Sequence, residues 1–127
     1  IMKIGIEHIA IYAKDSKKLS DWYKELFDGE IVYDNGKGTY FVAFSDKSMI
    51  EFCSCDNENV PTEMTTPGIR HIAISVDDFN SLTERVLAAN VEILKPASVS
   101  EKGIGTIFFR DIEGNILHLI SRPAPLV

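Results

Sequence analysis

The sequence predicts an α+β fold built from two tandem β-α-β-β-β modules. One observation is a repeat: His-Ile-Ala-Ile occupies positions 8–11 and returns at positions 71–74, 63 residues later. The other is that an aspartate, a helical apolar pattern and three short apolar stretches follow each copy. Such a repeat within 127 residues indicates two copies of one supersecondary unit.

The first module spans approximately residues 4–56. Residues 4–13 are rich in β-branched side chains and predict a strand, and Asp15 is placed to cap the helix that follows. The helix carries a single apolar stripe, which consists of Leu19, Trp22, Tyr23, Leu26 and Phe27. Gly29 is the expected end of the helix. Three further strands are predicted in EIVYDNG, GTYFVAF and SMIEFCSC, where turn residues separate them.

The second module spans approximately residues 68–122 and repeats this order. The strand IRHIAISV precedes Asp78, which is expected to cap a helix that stops near Asn90. Three more strands follow. The stretch MIEF of the first module corresponds to ILHL of the second at an offset of 67 residues, so the second copy carries a short insertion. We expect the two modules to form a single domain over residues 1–127.

Composition limits the partners of this protein. Hydrophobic residues make up 45% of the chain and charged residues 25%, with a formal net charge of −6. An acidic chain is a poor match for nucleic acid or an anionic membrane, and no apolar run is long enough to cross a bilayer. Cys53 and Cys55 are too close along one strand for an ordinary disulfide. We therefore expect free thiols, no secretion signal and a cytoplasmic location.

The alternation of side chains along the strands selects four candidate metal ligands. In each of four strands, one face carries the aliphatic residues expected to pack against a helix, and the opposite face carries one metal-competent residue. The four candidates are His8, Glu51, His71 and His118. Because they occupy equivalent places in the two repeats, they predict a shared metal site. Imidazole and carboxylate ligands suit Zn²⁺, Ni²⁺, Fe²⁺, Co²⁺ or Mn²⁺.

These residues resemble the vicinal oxygen chelate superfamily, which includes glyoxalase I, methylmalonyl-CoA epimerase, extradiol dioxygenases and fosfomycin-resistance enzymes. The resemblance covers essentially the whole chain, and the closing stretch DIEGNILHL is similar to the Asp-Pro-Asp-Gly-Asn stretch of the family. It implies that the two tandem modules form a curled mixed sheet around a metal-binding cleft, with ligands for a divalent metal from the first and last strands of each module. It also implies a small-molecule substrate and a homodimer, in which the site lies within one chain or is shared between two.

Two positions depart from the glyoxalase I pattern. His118 stands where that pattern has a glutamate, which leaves Glu51 as the one acidic ligand and therefore the candidate catalytic base. Tyr12 stands where glyoxalase I often has an arginine that helps to hold glutathione, which argues against glutathione as the thiol. The sequence interpretation is nevertheless a metal-dependent lyase or isomerase of the glyoxalase I type.

Three further residues are candidates for the substrate pocket. Tyr12 and Cys53 share strand faces with His8 and Glu51, and Arg122 follows the last strand, where it could hold an anionic group. Alternative functions within the resemblance remain open. One is a metal-free drug-binding protein of the bleomycin-resistance type. The others are metal enzymes: an epimerase, a fosfomycin-type thiol transferase or a dioxygenase.

Overall fold

The computed structural model describes residues 2–127 and confirms the α+β class and the repeated β-α-β-β-β order. The chain divides into two compact units, one ending at Glu58 and the other running from Asn59 to Val127. The first contains β1 (His8–Ala13), α1 (Ser16–Leu26), β2 (Glu30–Asp34), β3 (Tyr40–Ala43) and β4 (Met49–Ser54). The second contains β5 (His71–Ser75), α2 (Phe79–Ala88), β6 (Ile93–Val99), β7 (Gly105–Arg110) and β8 (Ile116–Ser121).

In the first unit, four strands form a sheet in the order β1-β4-β3-β2. β1 runs parallel to β4, and the other neighbours are antiparallel. Helix α1 packs on β3 and β4, and its Tyr23 lies with its ring centroid 4.9 Å from that of Phe52. Both rings are fully buried, as are Leu19 and Val42. The apolar stripe of the helix is therefore the core of this unit.

Helix α1 begins as predicted but ends differently. The Asp15 carboxylate accepts a hydrogen bond from the Lys18 backbone N–H at 3.0 Å, which caps the first turn. At the other end it is Asp28, with φ 52°, that takes the left-handed conformation, not Gly29. The glycine is needed for space instead, because a Cβ there would lie 2.7 Å from Cγ1 of Val42.

The second unit repeats this arrangement, with sheet order β5-β8-β7-β6 and β5 parallel to β8. Its fully buried side chains come from α2, β7 and β8: Val86, Ile107, Phe109, Leu117 and Leu119. Asp78 caps α2 by accepting from the Ser81 backbone N–H at 3.1 Å. Asn90, with φ 55°, follows the last turn of the helix, as predicted.

The first strand of each unit is shorter than the sequence suggested. β1 begins at His8 rather than at Ile4, and Ile6 is 86% exposed. The reason is the neighbouring strand: His8 pairs with Met49, and the residues before Met49 form a turn closed from Phe44 N–H to the Ser48 carbonyl. Residues 4–7 therefore have no ladder partner, and their alternating pattern alone does not make a strand.

No helix within residues 2–127 is long and apolar enough to cross a membrane.

Candidate metal centre

His8 and Glu51 lie together on one face of the first sheet. β1 and β4 are neighbours, and their register pairs Ala10 with Glu51. His8 precedes Ala10 by two residues on β1, so its side chain lies on the same face of the sheet as that of Glu51. His8 Nε2 is 3.7 Å from Oε1 of Glu51. Both side chains are partly exposed, whereas Ile11 and Phe52 on the opposite face are buried. The face assignment made from the strand alternation is therefore correct for this pair.

The other ring nitrogen of His8 has its own partner. Nδ1 is 2.9 Å from Oε1 of Glu7, a residue that sequence reasoning did not select. An imidazole that donates one N–H to a carboxylate presents its second nitrogen as an acceptor with a fixed orientation. Here the second nitrogen is the Nε2 that faces Glu51. Glu7 is therefore placed to hold the His8 ring with Nε2 toward Glu51.

His71 and His118 form the corresponding pair in the second unit. The register of β5 and β8 pairs Ala73 with His118, which is the same relation that Ala10 has to Glu51. The two imidazole ring centroids are 4.6 Å apart, with an edge-to-face angle of 89°. The repeat seen in the sequence is thus also a repeat in three dimensions, with one candidate pair on each sheet.

His118 is the most buried of the four candidates, with 6% of its surface exposed. Burial lowers the pKa of its imidazole, and electrostatic repulsion from His71 and Arg122 lowers it further. Its Nδ1 is buried and has no hydrogen-bond partner. A buried nitrogen without a partner is costly, and a neutral imidazole is the form that binds a metal ion. The environment of His118 therefore suits a ligand.

Two phenylalanines that sequence reasoning missed flank the pairs. Phe108 on β7 is stacked on His118, with ring centroids 4.3 Å apart and planes at 3°, and its edge meets His71 at 5.5 Å. Phe41 on β3 contacts His8 edge to face at 5.1 Å. The two phenylalanines are 67 residues apart, the same offset that relates Glu51 to His118. This shared offset could have identified the two phenylalanines from the sequence alone.

The predicted pocket residues lie beside the pairs. Cys53 is half-buried and pairs with Tyr12 across β1 and β4. Burial raises the pKa of the Cys53 thiol, and the Glu51 carboxylate raises it further, so the thiol stays neutral at neutral pH. Tyr12 is 67% exposed. Arg122 is exposed and lies close enough to His118 to influence its pKa.

The donor set fits a divalent ion. Three imidazoles and one carboxylate are typical ligands of first-row transition metals, and Nδ1 of His118 is buried without a hydrogen-bond partner. Within residues 2–127, however, no three His, Cys, Asp or Glu side chains are grouped closely enough to hold an ion. Each unit supplies two of the predicted ligands.

Comparison with known families settles which group of proteins this arrangement represents. Residues 5–119 match the sequence model of the Glyoxalase/Bleomycin resistance protein/Dioxygenase superfamily. The chain belongs to this superfamily. The resemblance inferred from the repeat and its closing stretch is therefore confirmed.

The similar proteins include several enzymes of the superfamily. The chain is 28% identical over 121 residues to a fosfomycin resistance protein, FosX, of Listeria innocua, which covers 91% of this chain and 87% of that protein. It is 31% identical over 115 residues to a mitochondrial methylmalonyl-CoA epimerase of Dictyostelium discoideum, covering 76% of this chain and 65% of the relative. In the second case the chain spans slightly less than two thirds of the relative.

A solved structure supports the fold and the family's use of metal. The crystal structure of a FosX mutant from Listeria monocytogenes, in complex with Mn(II) and 1S,2S-dihydroxypropylphosphonic acid, matches with a TM-score of 0.75 and 25% identity. The match covers 98% of this chain and 94% of that one. A FosX protein of this fold therefore binds Mn(II) together with a small oxygen-bearing molecule.

Proposed function

We propose that this protein is a metal-dependent lyase or isomerase that acts on a small substrate with two adjacent oxygen atoms. The observation that carries the proposal is the pair of equivalent two-residue clusters, His8 with Glu51 and His71 with His118. The partnerless buried nitrogen of His118 supports metal ligation in particular. The family relationship supports the same class of chemistry.

In this proposal the four residues hold one divalent ion, either from the two units of one chain or from two chains of a homodimer. The ion would supply Lewis-acid stabilisation of negative charge on the oxygens of the substrate. Zn²⁺, Ni²⁺, Fe²⁺, Co²⁺ and Mn²⁺ all suit this ligand set. We further propose that residues 1–127 form one domain and that the protein works as a homodimer in the cytoplasm.

Glu51 is the proposed catalytic base, because it is the one carboxylate among the four candidates. Its side chain is 24% exposed, so a substrate can reach it. It would take a proton from a carbon next to a carbonyl group and return it to the same or the adjacent carbon. The similarity to methylmalonyl-CoA epimerase supports proton transfer at such a carbon, since epimerisation there requires removal and return of the proton. Tyr12 and the neutral thiol of Cys53 would line the approach to Glu51.

The test compares proton exchange in wild-type protein and in the Glu51→Gln variant. Candidate substrates are hemithioacetals of methylglyoxal with several thiols, and methylmalonyl-CoA, followed by proton NMR in D₂O. We expect the metal-loaded wild type to convert one of these and to exchange the proton at the reacting carbon. Glu51→Gln should lower the rate by at least about 100-fold, the ordinary contribution of a positioned base. A variant that keeps its metal and its full rate would reject Glu51 as the base.

A second candidate is opening of the epoxide of fosfomycin, by addition of a thiol or of water. The similarity to FosX in sequence, and to the structure of its complex with Mn(II) and a phosphonic acid, favours this alternative. Phosphorus NMR of fosfomycin incubated with metal-loaded protein, with and without added thiols, tests it. Appearance of an adduct or a diol would select this function, and an unchanged spectrum would exclude it.

A further inference from the structure

A row of three polar side chains crosses the first sheet next to Glu51. Tyr12 on β1 pairs with Cys53 on β4, and the antiparallel register of β3 and β4 carries Thr39 to the other side of Cys53. Cys53 follows Glu51 by two residues on β4, so alternation places its thiol on the same face of the sheet as the carboxylate. The thiol is half-buried. It therefore lies between two hydroxyl groups and beside the proposed base.

The Cys53 thiol interacts with each of these three polar neighbours. Burial raises its pKa, and the charge of Glu51 and a hydrogen bond with the Glu51 side chain raise it as well. Hydrogen bonds with the side chains of Thr39 and Tyr12 lower this pKa. A hydrogen bond that raises the pKa of an acid is one that the protonated group donates, and one that lowers it is accepted by the sulfur. The single S–H proton therefore points to the Glu51 carboxylate, while the two hydroxyl groups donate to the sulfur.

The equivalent row of the second sheet shows that the thiol is not a general property of the repeat. There Ile120 pairs with Ser75 and with Thr106, and it follows His118 by two residues. Both sheets thus keep the hydroxyl groups on the two sides of the row, but an isoleucine replaces the thiol in the centre. An isoleucine has no proton to donate. The donor is therefore present beside the carboxylate and absent from the duplicated position beside the imidazole.

We propose that Cys53 is a positioning residue for Glu51: its S–H group donates to the carboxylate and fixes the orientation of that group toward the substrate. The role rests on the proposed function of Glu51 as the base. His8 Nε2 lies 3.7 Å from Oε1 of the same carboxylate, so an imidazole and a thiol both lie next to it. A base that is oriented before the substrate binds needs no ordering in the transition state, and this raises kcat rather than lowering KM.

Infrared spectroscopy tests the hydrogen bond directly, without any substrate. The S–H stretching band lies apart from other protein bands, and it moves to lower frequency when the thiol donates. The chain has two cysteines, so Cys55→Ala leaves Cys53 as the one source of this band. We expect Glu51→Ala, made in this background, to move the band to higher frequency. A band that stays in place when the carboxylate is removed would overturn the inference.

The kinetic test measures proton exchange at the reacting carbon of the substrate. Cys53→Ala should lower kcat about tenfold and leave KM within about twofold, as suits the loss of a hydrogen bond from a weak donor to a charged group. Cys53→Ser should keep most of the rate, because a hydroxyl group also donates. The matched control is Cys55→Ala, which removes the half-buried thiol that follows β4 and should leave the rate unchanged.

A double substitution separates positioning from a structural role. If Cys53 acts through Glu51, Cys53→Ala should not lower the residual rate further once Glu51→Gln is present. A loss of about tenfold in both backgrounds, or equal losses in Cys53→Ala and Cys53→Ser, would overturn the inference. Absence of proton exchange in the metal-loaded wild type would overturn the proposed function and the positioning role with it, even where the infrared band shows the hydrogen bond.

Discussion

Replacement of Phe108 by leucine should weaken metal binding without unfolding the protein. The ring of Phe108 stacks on His118 at 4.3 Å and meets His71 at 5.5 Å, so in the proposed site it would hold both imidazoles in place ahead of metal binding. Each such ring contact is worth about 0.5–1.5 kcal/mol beyond simple burial. Without these ring contacts, ordering the two imidazoles would reduce the free energy of metal binding. The two ring contacts together limit the loss in metal-binding free energy to about 3 kcal/mol. We expect a loss of about tenfold in metal affinity.

The assay is a competition titration of Zn²⁺ between chelator-stripped protein and a chromophoric chelator. The matched control is Phe109→Leu, on the same strand but on the opposite, fully buried face. That variant should lose on the order of 1 kcal/mol of unfolding free energy and keep its metal affinity within about twofold. If Phe108→Leu keeps wild-type affinity, or if Phe109→Leu loses as much, Phe108 does not position the ligands.

Three further predictions concern stability. Folding lowers the pKa of His118, so as the pH falls this imidazole is protonated in the unfolded chain before it is protonated in the folded one. The metal-free protein should therefore lose stability as the pH falls below 6.5, the ordinary pKa of histidine. Denaturation at several pH values should show that the free energy of unfolding depends less on pH in His118→Gln than in the wild type. An equal dependence in the two proteins would contradict this. Asp78→Ala removes the cap of α2 and should cost about 1 kcal/mol in urea denaturation; no loss would mean that the cap is replaceable. Gly29→Ala places a methyl group against Val42 and should cost about 1–3 kcal/mol. The open site Gly5 is its control, and equal effects at both glycines would refute the steric argument.

The helix and strand order could be predicted because local chemistry determines it. Asp15 and Asp78 cap their helices as expected, since a carboxylate at this position accepts from the backbone N–H three residues on. The end of α1 could not be located to the residue, because Asp28 and Gly29 can both follow a helix. Only the packing of Val42 shows that Gly29 is there for space.

The faces of the candidate ligands were predictable, but their surroundings were not. Alternation places His8 and Glu51 on one face, and the parallel pairing of β1 with β4 then brings them to 3.7 Å. Which strands become neighbours is a long-range property that no local pattern contains. For that reason the stacking of Phe108 on His118 escaped notice, although its offset of 67 residues from Phe41 can be read in the sequence. The contact of Glu7 with the neighbouring His8 was missed because it depends on side-chain conformation, which alternation along a strand does not give.

The central claim is that the two side-chain pairs hold one divalent ion. Its most direct test is the metal content of protein purified without chelators, reloaded with Mn²⁺ or Zn²⁺ and measured by mass spectrometry. We expect one ion per chain in the wild type, and a loss of that ion when His8 and His118, one from each pair, are both replaced by glutamine. A content well below one ion per chain, or an ion that survives this double substitution, would contradict the account.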